Sequence, residues 1–311
     1  MKILLTSTSF KDTPGKHQEL LNSQGFAIDF LRGPLPEEEL LPIIQNYDAV
    51  ICGDDEYTEK VLTLGKKGKL KYISKYGVGL DKIDLKAAQK LNLPVTNCPG
   101  VNQVSVAEHV LALLLTFEKN IHLQYQTTKN GSWKRLTGNE INGKTIGIIG
   151  LGAIGKELAK RAYALGLNVL AFDINKDLDF LNNNPFVVFE SDINKIYEQS
   201  QIISLHVPLT SKTEHLINED VIFNKLKMEP IIINTARGKL VETKSIINGL
   251  KKGKLRGYLT DVLETEPISQ DEELMGVENV LITPHVGSRT MQSVERQGLM
   301  AVKNLIALIN A

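Results

Sequence analysis

The sequence predicts an α/β protein of two doubly wound parallel-sheet domains, and three observations carry that reading. At 311 residues the chain is long for one compact core, so two domains are the natural division. Short β-rich runs alternate with segments of helical apolar spacing, the pattern of parallel βαβ units. A glycine-rich turn stands between the first strand and the first helix of the second such series.

In the first hundred residues the strand-like runs are KILLTS (2–7), FAIDFL (26–31), AVICG (49–53), LKYIS (70–74) and LPVTN (93–97). Residues 36–45 and 81–91 have helical spacing between them. A helix is predicted from about 105 to 118, apolar on nearly every side and therefore buried at a domain or subunit junction. Residues 121–144 break the pattern: they are polar, carry the single Trp133 and read as irregular chain, either a surface loop or an arm for subunit contact.

The second series runs through TIGIIG (145–150), NVLAFD (168–173), IISLHV (202–207), IIINTA (231–236), GYLTDV (257–262) and VLITP (280–284). Most are unbroken apolar runs, as parallel strands covered on both faces require. The tail, 289–311, reads as one amphipathic helix returning to the first domain. The expected division is 1–100 with 287–311, and 101–286.

Charge narrows the function. Thirty-six Lys and Arg balance 36 Asp and Glu, which argues against a nucleic-acid or anionic-membrane surface. The basic runs at 65–69 and 251–254 suit helix C-termini, where cations meet the negative end of the macrodipole. Cys52 and Cys98 end apolar runs and read as buried free thiols, without metal-ligand spacing. No apolar stretch is long enough for a membrane span, and the N-terminal one is too short for a signal peptide, so a cytoplasmic protein is expected.

After the strand 145–150 come Gly150-Leu151-Gly152-Ala153-Ile154-Gly155 and then a helix. Gly150 permits the tight turn, Gly152 lets the backbone approach a pyrophosphate, and Gly155 allows close helix–strand packing. The helix N-terminus offers unpaired N–H groups to the phosphates. Asp173 ends the next strand 18 residues after Gly155. Its carboxylate suits an adenosine ribose and would repel a 2′-phosphate, so the cofactor predicted for this Rossmann unit is NAD.

The chemistry further needs a proton donor and a group that orients substrate. In such sheets these belong at the carboxyl ends of strands, and three residues qualify: Arg237, Glu266 and His285. For a 2-oxo acid being reduced, His285 can protonate the forming alkoxide, Glu266 can fix the imidazole, and Arg237 can grip the substrate by forked hydrogen bonds. His17, His109, His122, His206 and His215 are read as structural; His206 lies on the wrong strand for proton transfer.

The runs Asn234-Thr235-Ala236-Arg237-Gly238, Asp261-Val262-Leu263-Glu264-Thr265-Glu266-Pro267 and Thr283-Pro284-His285-Val286-Gly287 resemble signatures of the D-isomer-specific 2-hydroxyacid dehydrogenases. So do Lys75-Tyr76-Gly77-Val78-Gly79-Leu80-Asp81, 101–109 and Leu205-His206-Val207-Pro208, covering essentially the whole chain. The likeness is greatest to short phosphoglycerate dehydrogenase-like members. The resemblance implies a flavodoxin-like substrate domain beside the NAD-binding one, and a homodimer joined through a segment like 105–144. It makes His285 the proton donor, Glu266 its partner and Arg237 the clamp. It gives the pyrophosphate to the amides of Ala153 and Ile154, the ribose to Asp173 and the nicotinamide carboxamide to Asp261. His206, Val207, Pro208, Thr235, Ala236 and Gly287 would line the cofactor. Gly77, Val78 and Gly79 would receive the substrate carboxylate, with Lys75 and Asn102 beside them.

Two features bear on the substrate. Where phosphoglycerate-specific members place arginines, one position here is Lys75. The acidic run Asp54-Asp55-Glu56 would repel a substrate phosphate if it faced one, and it is expected to point to water. With the chain ending at Ala311, no regulatory C-terminal extension is expected. The alternatives are a glyoxylate/hydroxypyruvate reductase, a phosphite dehydrogenase-like enzyme and, from another class, an NAD(H)-sensing interaction protein.

Overall fold

A computed structural model describes residues 1–311, and the chain falls into two compact units, Met1–Asn102 with Arg289–Ala311, and Gln103–Ser288.

The first unit contains β1 (Lys2–Leu5), β2 (Ala27–Phe30), β3 (Ala49–Cys52), β4 (Tyr72–Lys75) and β5 (Val95–Thr96), with α1 (Thr8–Asp12), α2 (Lys16–Asn22), α3 (Glu37–Leu40), α4 (Glu59–Lys67) and α5 (Leu85–Lys90). All pairings are parallel and the order is β2-β1-β3-β4-β5, the flavodoxin-like arrangement. Period-two alternation makes two cores. Leu4, Val50, Cys52 and Ile73 face one apolar layer, while Ile3, Leu5, Ala49 and Ile51 face the other. The basic run at 65–69 ends α4, which is capped at Gly68.

The second unit holds α6 (Gln103–Glu118), α7 (Ile121–Lys129), β6 (Thr145–Ile149), α8 (Ala153–Ala164), β7 (Asn168–Phe172), α9 (Leu178–Asn183), β8 (Val187–Phe189), α10 (Ile193–Gln199), β9 (Ile202–Leu205), β10 (Ile231–Asn234), α11 (Thr243–Lys251), β11 (Gly257–Thr260) and β12 (Val280–Ile282). Its seven parallel strands are ordered β12-β11-β10-β9-β6-β7-β8, a Rossmann sheet extended by one strand. The order reverses between β6 and β9, beside the glycine-rich turn. Ile231 and Ile233 join one core and Ile232 the other, so unbroken apolar strands serve both faces. The chain returns as α12 (Met291–Asn310), which packs on α2 and β4 of the first unit. Gly298 permits that approach, because a Cβ there would lie 2.6 Å from His17 Cβ.

Two expectations need correction. The stretch 121–144 is not irregular throughout, since α7 occupies its first part. No α7 side chain is buried, so the helix shows no apolar stripe in the sequence. Nor does the rest wander: Asn139 N–H donates to Glu118 O at 2.7 Å, and Gly138 lies too close to that carbonyl for a Cβ. The edge strand β8 lies outside the sequence-predicted set, because only Val187 of its three residues is buried. Cys52 and Cys98 are buried free thiols, as expected.

Candidate active site

The second unit builds a nucleotide cradle at the carboxyl end of β6. Gly150 adopts φ +102°, and a Cβ there would stand 2.6 Å from the His206 carbonyl carbon. A Cβ on Gly155 would meet Gly150 O at 2.1 Å, so only glycine lets α8 start this close to β6. Gly152, the N-cap of α8, has nothing within 4 Å of a built Cβ and makes no side-chain cap. The N-terminus of α8 is therefore open at its N-cap, next to the amides of Ala153 and Ile154. Asp173 follows β7 directly; its Oδ2 accepts from Leu151 N–H at 2.7 Å and its Oδ1 from Asn175 N–H at 2.9 Å. This acid is thus tied to the turn it serves. Ile174 beside it is 88% exposed, an apolar surface that the sequence reading passed over.

His206, with Val207 and Pro208 after it, leaves β9 against Gly150. Its ring Nε2 is 2.8 Å from Ser204 Oγ, and burial pushes its pKa down to about 4, so the ring is neutral near pH 7. That state suits a lining residue rather than a proton donor.

Asn234, the last residue of β10, is fully buried and braces the next turn. Its Nδ2 donates to Arg237 O at 2.8 Å, and its Oδ1 accepts from Ala236 N–H at 3.1 Å. Thr235 lies within that turn. Gly238 packs so tightly that a Cβ would sit 2.0 Å from Leu263 O, which sets the Arg237 turn against the 261–266 segment. The Arg237 guanidinium donates to Ala236 O at 2.7 Å.

The 261–287 region joins the remaining predicted residues. Glu266 Oε2 lies 2.7 Å from His285 Nδ1, and Glu266 Oε1 accepts from Leu263 N–H at 2.9 Å. His285 has φ +52°, a left-handed conformation uncommon outside glycine, and its N–H reaches Asp261 O at 2.9 Å and Thr283 O at 3.0 Å. The Asp261 side chain is 2% exposed and accepts from Thr283 Oγ (2.6 Å), Val286 N–H (2.9 Å) and Gly287 N–H (2.7 Å). Burial alone would raise its pKa; hydrogen bonds from His109, Thr283, Val286 and Gly287 outweigh that and hold it below the usual carboxylate range. Asp261 is therefore the anchor of the loop carrying His285, a role the sequence did not reveal.

His109 has partners that its place on an apolar helix does not disclose. Read as a structural histidine without strand-end placement, its Nε2 lies 2.9 Å from Thr283 Oγ and 3.4 Å from Asp261 Oδ1. A lone polar ring on a nearly apolar helix was the available signal.

In the first unit, Lys75, Gly77, Val78 and Gly79 leave the carboxyl end of β4, and Asn102 ends the unit's first segment. Gly77 has φ +133°, and the Val78 carbonyl accepts from Asn97 Nδ2 at 2.7 Å, a brace that sequence reasoning missed. The acidic run does not simply face water. Asp55 is fully buried, bonded to Thr6 Oγ and to Leu35 N–H (2.8 Å). Asp54 Oδ1 pairs with Lys75 Nζ at 2.6 Å, and Glu56 pairs with Lys82 at 3.2 Å. Each acid found a partner distant in sequence, which charge spacing alone does not disclose.

A glycine cradle, a carboxylate at the end of the next strand and a histidine–carboxylate pair at strand ends of one parallel sheet define a dinucleotide-dependent oxidoreductase. Residues 111–287 match the family model described as D-isomer specific 2-hydroxyacid dehydrogenase, NAD binding domain. A glyoxylate reductase of Thermofilum pendens is 38% identical over 283 residues, covering 89% of this chain and 82% of the relative. A D-3-phosphoglycerate dehydrogenase of Methanocaldococcus jannaschii is also 38% identical, over 87% of this chain but only 51% of its own length. The apo-structure of D-lactate dehydrogenase from Escherichia coli superposes with a TM-score of 0.86 at 31% identity, covering 100% of this chain and 97% of that one. The chain belongs to the D-isomer specific 2-hydroxyacid dehydrogenase family. It is an NAD-dependent enzyme that interconverts a D-2-hydroxy acid and its 2-oxo acid.

Proposed function

We propose that the enzyme reduces a short 2-oxo acid with His285 as proton donor and Arg237 as substrate clamp. The carrying observation is the 2.7 Å pair between His285 Nδ1 and Glu266 Oε2, built on a left-handed His285 backbone. Glu266 fixes the ring through Nδ1, and Nε2 is assigned as the atom that delivers the proton. When bound in its reduced form, NAD would supply the hydride. As the carbonyl carbon becomes tetrahedral, the His285 proton moves to the oxygen, and the Glu266 carboxylate supports the ring while it is cationic. Arg237 aligns the substrate through paired N–H groups. The loop 77–79, with Lys75 and Asn102, receives the substrate carboxylate.

On the cofactor side, the Ala153 and Ile154 amides would hold the pyrophosphate, Asp173 the ribose and Asp261 the carboxamide end. Gly150, Gly152, Gly155, His206, Val207, Pro208, Thr235, Ala236 and Gly287 shape the surface around it. The named relatives are a glyoxylate reductase, a D-3-phosphoglycerate dehydrogenase and a D-lactate dehydrogenase, so the substrate is sought among short 2-oxo acids. The test follows NADH oxidation with glyoxylate, hydroxypyruvate, phosphohydroxypyruvate and pyruvate. Turnover of at least one is expected; inactivity toward all four overturns the reading.

The same reading makes the enzyme a cytoplasmic homodimer. Two free buried thiols suit a reducing compartment. The 105–144 segment carries Ile121, Leu123, Tyr125 and Trp133 exposed, Trp133 at 77%. Sizing should give twice the 34.5 kDa chain mass, and a monomer at micromolar concentration overturns the arm's assignment.

A further inference from the structure

In the first unit, several cations stand in pairs with acids. Lys75, the last residue of β4, is 2% exposed, and its Nζ donates both to Asp54 Oδ1 at 2.6 Å and to the Gly53 carbonyl. Burial would drive its pKa down, yet the neighbouring Asp54 carboxylate above all raises it, so Lys75 stays charged. Arg32 and Arg289 both pair with Asp12, at 2.8 and 3.1 Å, and Lys82 pairs with Glu56. Asp55, next to Asp54, is turned into the unit toward Thr6 and Leu35 and leaves Asp54 as the carboxylate on Lys75.

We infer that Asp54 is a positioning residue that sets substrate specificity: it holds Lys75 in a neutralised pair, and the enzyme thereby selects short 2-oxo acids without a phosphate. The inference rests on the proposed placement of Lys75 at the substrate. A phosphate dianion needs a cation whose field is not already matched. Here the ammonium is fixed by one carboxylate and one carbonyl, and an approaching phosphate meets the Asp54 charge as well. A small monoanionic acid avoids that repulsion, because backbone amides of the 77–79 loop can receive its carboxylate.

The test compares kcat/KM for hydroxypyruvate and phosphohydroxypyruvate in the wild-type chain, Asp54→Asn and Asp54→Glu. The wild type should favour hydroxypyruvate by about 100-fold. Asp54→Asn should raise the phosphorylated-to-unphosphorylated ratio by about tenfold, through KM for the phosphorylated acid, and added salt should shrink the gain. Asp54→Glu should keep the wild-type ratio. A wild type that prefers phosphohydroxypyruvate, or an Asp54→Asn ratio equal to wild type, overturns the inference while leaving the general reductase reading intact. The wild-type comparison can overturn the inference even if neither variant folds. A wild type inactive on all four acids removes both.

Discussion

Glu266 holds His285 from a fixed point: one carboxylate oxygen lies 2.7 Å from His285 Nδ1 while the other accepts the Leu263 N–H at 2.9 Å. The ring is thus oriented by a side chain that is itself tied to the backbone. His285→Ala should lower kcat by about 100-fold or more and leave NADH affinity within about twofold. Stopped-flow turnover with cofactor titration checks it, and near-normal turnover would remove His285 from proton transfer. Glu266→Gln keeps the shape but not the charge and should cost about tenfold in kcat.

Arg237 depends on Asn234, whose amide holds the turn from both sides. Arg237→Lys keeps the charge and loses the planar fork, so KM for the 2-oxo acid should rise about tenfold or more. NADH affinity should stay within about twofold. Steady-state kinetics separates the two, and an unchanged KM contradicts the clamp.

Much of the candidate site's geometry was legible because it is local in sequence. The glycine turn, Asp173, Arg237, Glu266 and His285 each stand at or just beyond a strand end, and strand ends follow from apolar runs and breaks. What escaped depends on distant partners. His109 meets Thr283 across 174 positions, and Lys75 meets Asp54 only because β3 and β4 are neighbours in the sheet. Helix α7 and strand β8 escaped for a different reason: neither buries a full apolar face, so periodicity carries little information there.

Asp173 is tied to the glycine-rich turn, since it accepts the Leu151 N–H at 2.7 Å. Asp173→Ala should reduce discrimination against NADP about tenfold and also weaken NADH binding, because the turn loses its brace. Dissociation constants for NADH and NADPH measure both effects. Discrimination equal to wild type places the NAD preference on another residue.

Asp261 links the pH response of folding to the loop that carries His285. Its carboxylate is buried, which alone would raise the pKa, but donors from His109, Thr283, Val286 and Gly287 hold it below its unfolded value. A carboxylate lowered on folding stabilises the native state above its unfolded pKa, near 3.9, and that contribution disappears as pH falls through the folded value. Asp261→Ala should therefore destabilise the protein at pH 7 by about 1–3 kcal/mol, and the deficit should narrow below about pH 4. Turnover should fall as well, since the His285 N–H and the Val286 and Gly287 amides all converge on Asp261. Thermal unfolding of both proteins at pH 7 and in acid measures the difference. A deficit of constant size across that range would show that Asp261 acts through packing and not through its charge.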